Sequence, residues 1–389
     1  MALPLSYNVR SLLVRWRVTL LAIGGIALVV AVLVVLSAMS NGFASALAAT
    51  GDPRNGIVVQ RGSGSELTSF FSREHRNLVE VDARIARDAE GKPMVSPEIV
   101  IVANLKRKID DAPTNITVRG VTPKAFEVRN GIRIVAGRNF TPGLNEIIVG
   151  QKLTIRLKGV ELGDEIPIQR PRWKVVGVFT AEGSAFESEI WGDYDTMGPA
   201  FLRGGGQNSL TVRLVDPSKR AEFDKEIREN PQMQLQMDGE RDYYTNQSGP
   251  VTGPLLALAI FVSVVMGIGA VFGAMNTMYA IVAARTREIG TLRALGFSRL
   301  SILTSFLIES VFLAIVGGAI GCLLAFPMNG FTTGTGQTAS FSEVAFAFRI
   351  TAGSVAAGMI FATVMGFLGG LLPGLRAARL PITSALRES

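Results

Sequence analysis

Few residues of this chain are of a type and spacing that could do chemistry. Among 389 residues, His75 is the only histidine and Cys322 the only cysteine. That excludes a multi-histidine metal centre, a thiol–imidazole pair and an intramolecular disulfide. His75 lies in a polar stretch and reads as a surface histidine on a helix. No G-x-S-x-G and no H-E-x-x-H occurs, so nucleophilic or zinc-dependent hydrolysis has no machinery here. The only Gly-Lys pair, Gly91-Lys92, runs into Pro93, so no G-x-x-x-x-G-K-[ST] loop is present to cradle nucleotide phosphates. The chain is expected to be non-catalytic and to bind no cofactor itself; energy for any work it does comes from elsewhere. Glu187, Glu189, Asp193 and Asp195, beside Trp191 and Tyr194, form an acidic run of hard oxygen ligands. The run lacks the glycine and the terminal glutamate of a calcium loop, and it reads as a solvated strand or loop edge.

Two features remain. Glu309 is the one charge in the apolar run Leu303–Phe326. An ionisable group in such a run is a functional candidate. It also lies about two turns from the start of the run, where it could reach the interface or an arginine of the preceding loop, and both readings stay open. Asn276 is a second polar group in an apolar run. The other feature is the stretch Arg285–Arg299, RTREIGTLRALGFSR. Ile289, Leu292 and Leu295 recur near helical spacing, Arg287, Glu288, Arg293 and Arg299 supply charge, and Gly296 is placed as a C-cap. This is a short amphipathic helix, suited either to lie on lipid head groups or to act as a peg for a cytoplasmic protein.

The elements that hold these groups are membrane spans. Charged residues make up 18% and hydrophobic residues 48% of the chain, and the mean hydropathy is +0.33; a soluble domain is nearer a quarter charged. The apolar residues fall in four blocks, read as spans over 18–40, 254–284, 303–326 and 350–375, each long enough for the ~30 Å hydrocarbon core. The first block is longer than a signal-peptide apolar region, so it reads as a retained anchor despite Ala44-Ser45-Ala46. The second exceeds the need and should tilt or project. Arg10, Arg15 and Arg17 precede span 1, Arg285, Arg287, Arg293 and Arg299 separate spans 2 and 3, and Arg376, Arg379 and Arg387 follow span 4. Both termini (1–17, an amphipathic segment, and 376–389) and the loop 285–302 are therefore expected on the cytoplasmic side. The segments 41–253 and 327–349 then lie outside. Between Asn41 and Gly253 there are 28 basic and 28 acidic residues, so the formal +7 belongs to the cytoplasmic face and not to nucleic-acid binding.

The fold class expected is a four-helix membrane protein with a large extracytoplasmic mixed α/β domain between helices 1 and 2. Strands are read at Ile57–Gln60, Pro97–Leu105, Asn115–Val121, Glu146–Val149, Trp173–Val178, Ser209–Val215 and Gln232–Met237. Helices are read over Glu66–Arg87 and Ser218–Arg228, and an inserted subdomain over 122–206. Gly269/Gly273, Gly317/Gly321 and Gly366/Gly370 are G-x-x-x-G pairs that allow close helix packing and a dimer.

On these residues the chain resembles the MacB/FtsX-type ABC transporter permeases over nearly its whole length. Met275-Asn276-Thr277-Met278 through Arg285–Gly296 is similar to the family's most specific signature. Ile308-Glu309-Ser310 with Gly317-Gly318, and the ending Pro381–Glu388, resemble its third span and C-terminal motif. Gly120-Val121-Thr122-Pro123 with Phe126, and Gly137-Arg138, resemble the MacB-like periplasmic core. The resemblance implies a bacterial inner-membrane permease working as a homodimer or paired with a related permease. It implies a cytoplasmic ABC ATPase, with its ATP and magnesium, docked on a coupling helix around Glu288–Arg299, and mechanotransmission through span 2. A periplasmic adaptor, an outer-membrane channel and membrane lipids are further partners it brings. MacB carries its ATPase ahead of span 1; about 17 residues precede the span here, so a separate ATPase chain is expected. Export or extraction of a lipophilic, peptide or lipoprotein substrate is one reading, and FtsX-like signalling to a periplasmic enzyme the other.

Overall fold

A computed structural model describes residues 16–337 and 342–381. Of the expected N-terminal segment and the C-terminal motif, all but Trp16, Arg17 and Pro381 lie outside the described residues. In chain order the helices are α1 (Trp16–Ala48), α2 (Arg73–Glu80), α3 (Ala125–Val128), α4 (Gln151–Arg156), α5 (Tyr194–Ala200), α6 (Arg220–Glu229), α7 (Glu240–Asn246), α8 (Gly249–Ala284), α9 (Thr286–Ala294), α10 (Arg299–Ala325) and α11 (Ala352–Arg379). The strands are β1 (Asn55–Gln60), β2 (Phe71–Ser72), β3 (Val95–Lys106), β4 (Pro113–Val121), β5 (Arg133–Gly137), β6 (Glu146–Gly150), β7 (Glu165–Pro167), β8 (Arg172–Thr180), β9 (Glu189–Asp193), β10 (Gly206–Gln207), β11 (Ser209–Arg213), β12 (Leu235–Gly239), β13 (Thr332–Gln337) and β14 (Ser342–Ala347).

Two compact units form. One is an α/β domain of Gly42–Thr252 together with Thr332–Ala347; the other holds the long helices. In the helical unit α1, α8, α10 and α11 are each long and apolar enough to cross a membrane. The 36 residues of α8 would extend about 54 Å at 1.5 Å per residue. Ile26, Val30 and Val34 of α1 meet Ala314 of α10 and Ala362 and Met365 of α11 in one cluster. A second cluster joins Met278, Ile281 and Val282 of α8 to Ile289, Ile302, Phe306, Ala377 and Ala378. The starts of α10 and α11 are capped: Ser298 accepts the Ser301 N–H at 3.1 Å, and Thr351 with Ser354 forms a capping box.

The α/β domain is built on a ten-stranded sheet of order β12-β1-β11-β3-β4-β9-β6-β8-β5, with β7 also on β8. The pairs β4–β9 and β6–β8 are parallel and the others antiparallel. Strands from the 122–206 segment occupy one side of the sheet, β9 to β5, and those from its flanks the other. Alternate residues of the middle strands serve opposite faces. Ile147, Val149 and Ile190 pack with Trp173 and Met197, whereas Ile148 and Trp191 pack with Phe179, Phe186 and Tyr244. Both faces are covered, which is why Ile147–Val149 reads as an unbroken apolar run in place of an alternating one.

Two expectations are corrected. Glu66–Arg87 is not one helix. It gives a 3-10 turn at Glu66–Thr68, the short strand β2 paired with β10, and then α2. Ser69 Oγ accepts the Gln60 N–H at 2.9 Å, and Asp82 Oδ1 accepts the Arg84 N–H at 2.9 Å. Side chains thus draw the backbone into turns at both ends. The last strand begins at Leu235, because Asn230 accepts the Gln232 N–H at 2.9 Å and holds that stretch in a turn.

Candidate functional site

The amphipathic stretch between α8 and α10 forms a tight corner. Ile289 is buried and Leu292 half-buried against the α8–α10–α11 cluster, while Arg287, Glu288, Thr291 and Leu295 are exposed. Leu295 is 73% exposed. The helix stops in a Schellman arrangement: the Phe297 N–H reaches the Leu292 carbonyl at 3.2 Å, the Gly296 N–H reaches Arg293, and Gly296 takes φ +95°. Only glycine adopts that φ without strain. Arg293 Nη1 donates to the Ala378 carbonyl at 2.6 Å and pins the corner to the end of α11. Arg299 is exposed in the first turn of α10.

Glu309 is buried, and its partner is Arg285. Arg285 Nη1 lies 3.3 Å from Glu309 Oε2, and Arg285 Nε lies 2.9 Å from Glu288 Oε2. Burial, then the Glu309 charge, pushes the Glu288 carboxyl above the usual carboxylate range. Asn276 is exposed on α8. It borders a groove of about 490 Å³ between α1 and α8, lined by Ala22, Gly25, Leu28, Gly269 and Gly273.

The glycine pairs divide. A Cβ at Gly317 or Gly321 would meet α1 (Ile23 O at 3.0 Å, Ala27 O at 2.5 Å). One at Gly366 or Gly370 would meet α10 (Ala314 Cβ at 2.4 Å, Ser310 Oγ at 2.0 Å). At Gly269 and Gly273 nothing lies within 4 Å, so among the described residues those two seat no neighbour.

Sequence reasoning missed a buried ion cluster in the α/β domain. Arg119 on β4 donates through Nε and Nη2 to both oxygens of Glu189 (2.8 and 2.9 Å). It also reaches Glu66 at 2.7 Å and Glu98 at 2.6 Å. Arg129, just after α3, reaches Glu240 at 2.6 Å, Thr211 at 2.7 Å and Glu98. Tyr244, Ser209, Trp191, Asn55 and the Asp52 N–H donate further hydrogen bonds to these carboxylates. Burial pushes Glu189 up, more than Arg119 pulls it down. At Glu66 burial acts the same way, but Arg119, Ser209 and Arg129 outweigh it and hold the carboxyl low. Burial works against the Arg119 charge, yet Glu189 and Glu66 hold its guanidinium well above its ordinary value.

The acidic run read as a solvated edge is corrected here. Glu187, Glu189 and Asp193 are buried, and only Asp195 is exposed. Glu187 holds Lys152 at 3.2 Å and Thr180 at 2.6 Å, and Asp193 caps α5 through Thr196. The signal available was Trp191 and Ile190 between the acids: an aromatic and a β-branched residue in a short run favour an interior strand. Among the described residues no acidic, histidine or cysteine group is arranged to hold a metal.

The model of the MacB-like periplasmic core domain matches residues 19–230, and that of the FtsX-like permease C-terminal region matches 260–382. The chain belongs to the MacB/FtsX-type ABC transporter permeases. It is thus a multi-pass ABC transporter membrane subunit of the inner membrane. The macrolide export ATP-binding/permease protein MacB of Bordetella avium (strain 197N) is 29% identical over 335 residues, covering 80% of this chain and 49% of that protein. The protein of the same name from Rhodopseudomonas palustris (strain HaA2) is 28% identical over 346 residues, covering 83% and 50%. The chain spans about half the length of the curated relatives it matches. The crystal structure of the periplasmic region of MacB from Actinobacillus actinomycetemcomitans aligns with 12% identity and a TM-score of 0.36, covering 50% of this chain and 92% of that one.

Proposed function

We propose that this permease works by mechanotransmission. A separate cytoplasmic ATPase docks on the exposed face of α9, around Arg287, Glu288, Thr291 and Leu295, and its ATP-driven closure moves the α/β domain on the far side of the membrane. The observation that carries the reading is the α9 corner. An apolar side chain as exposed as Leu295 stands at the end of a helix that is itself tied down by Ile289, the Arg293–Ala378 bond and the Gly296 cap. A rigid peg with an exposed apolar tip suits a protein partner, because most of the ordering entropy of docking has been lost in advance. A second permease copy is assigned to the α1–α8 groove. Gly269 and Gly273 leave it open to close helix approach, and Asn276 offers a hydrogen bond there. The export named for the MacB relatives supports a lipophilic or peptide substrate over pure signalling. An adaptor and an outer-membrane channel would complete that path.

The test is a pull-down of the tagged chain from native membranes with ATP hydrolysis measured on the eluate. A co-purifying ATPase in about equal amount, lost on Leu295→Asp with the chain still folded and inserted, is the result expected. Glu288→Lys should act the same way, less cleanly, since Glu288 also contacts Arg285. Undiminished ATPase recovery with both variants would remove α9 as the docking element.

A further inference from the structure

The α/β domain is not made from the chain between α1 and α8 alone. The segment between α10 and α11 could simply connect two neighbouring helices, a task for a few residues. Instead it forms the β13–β14 hairpin and joins the domain. Phe346 is fully buried, with its ring edge-on to Phe43 at 5.4 Å between centroids. Gly42 lets the end of β14 come in: a Cβ there would lie 2.1 Å from the Ala347 carbonyl oxygen. The Ala345 N–H donates to Ser188 Oγ at 2.8 Å, and Thr117 Oγ1 donates to Ser342 at 2.8 Å. Glu343, the one acid of this segment, is held by Arg156 and by Thr114. The hairpin therefore grips β4, through Thr114 and Thr117, and the turn leading into β9, through Ser188. β4 and β9 are the parallel pair at the centre of the sheet. Beside them, a small cavity brings Val344 together with Leu47 of α1, Tyr244 of α7, and Arg119, Glu66 and Glu189 of the ion cluster. All the chain segments that enter the domain meet around one set of buried charges.

We propose that the β13–β14 hairpin is a tether. Through it, movement of α10 and α11 is delivered to the middle of the domain sheet, separately from the path along α1 and α8. This rests on the reading of the chain as an ATP-driven permease. The physical ground is the kind of contact. A buried phenyl ring and a shielded ion pair define one arrangement and resist sliding, whereas a polar surface loop would follow the helices and leave the sheet unmoved.

The experiment uses the full chain with its ATPase in lipid nanodiscs, in a Cys322→Ala background. Spin labels are placed at Lys225→Cys in the domain and Leu372→Cys on α11, both exposed. The native pairing should show a label distance that shifts on adding ATP. Glu343→Arg should cut that shift to roughly half or less while hydrolysis stays within about twofold of native. The exchanged pair Arg156→Glu/Glu343→Arg should restore the shift, which excludes simple misfolding. The neutral Glu343→Gln should fall between. A full shift in Glu343→Arg overturns the tether, as does a loss that the exchanged pair does not repair. A native complex that hydrolyses no ATP, or hydrolyses it with no shift, overturns the permease reading beneath it and the tether with it.

Discussion

Replacing Arg129 by methionine is the sharpest test of what holds the α/β domain together. Arg129 is 3% exposed and donates to Glu98, Glu240 and Thr211. Methionine keeps most of the volume and removes the charge. Glu98 then retains Arg119 alone among its charged partners, and Glu240 retains only Asn55 and the Asp52 N–H. Two carboxylates stay buried with too little compensation. Breaking a buried pair from one side costs ~3–5 kcal/mol. For a domain of this size each kcal/mol is worth ~2–4 °C of melting temperature, so a fall of about 6–20 °C is expected for the full chain in detergent. The control is Arg138→Met, whose Arg138–Glu146 pair is at the surface on the arginine side; such a pair contributes ~0–1 kcal/mol. Adding Glu240→Gln to Arg129→Met should recover part of the loss, since a neutral amide needs no counter-charge. Equal melting shifts for Arg129→Met and Arg138→Met would refute the reasoning.

Within the helical unit, Gly366→Val should destabilise the α10–α11 pair by ~1–3 kcal/mol or more, because its Cβ meets Ala314 at 2.4 Å. Gly269→Val should leave the melting temperature of the single chain unchanged and weaken only self-association, read by cross-linking in membranes. Gly296→Ala forces a φ of +95° on alanine and should cost about 1 kcal/mol, seen as faster hydrogen exchange across 292–298. Glu189 is held above its usual pKa and Glu66 below it. The Glu189 contribution is therefore present at low pH and lost as pH rises through its folded pKa; that of Glu66 is present at neutral pH and lost as pH falls through its own. Glu189→Gln should accordingly be tolerated far better than Glu66→Gln at pH 8, compared by thermal melting.

The four spans, the α9 corner and most of the sheet strands could be read from the chain itself, because each depends on local pattern. About twenty apolar residues in a row must be helical in lipid. Ile289, Leu292, Gly296 and the flanking arginines encode a capped amphipathic turn. Runs such as Ile99–Val102 have few alternatives to a strand. Long-range pairing has no such signature. Nothing local tells Glu189 from a solvated acid until Arg119, seventy positions earlier, is brought beside it by the β4–β9 pairing. The same holds for Glu66, which the tertiary fold takes out of a helix and into the cluster. It holds for the segment after α10, whose Phe346 and Glu343 are ordinary loop residues until Phe43 and Arg156 meet them. Likewise three G-x-x-x-G pairs look alike in sequence. Only packing separates Gly317/Gly321 and Gly366/Gly370, filled by neighbouring helices, from Gly269/Gly273, which stay open among the described residues. Local free energies set which elements form. The cost of leaving charge and apolar surface unmatched decides which distant residues must meet, and that is settled only when the chain has closed on itself.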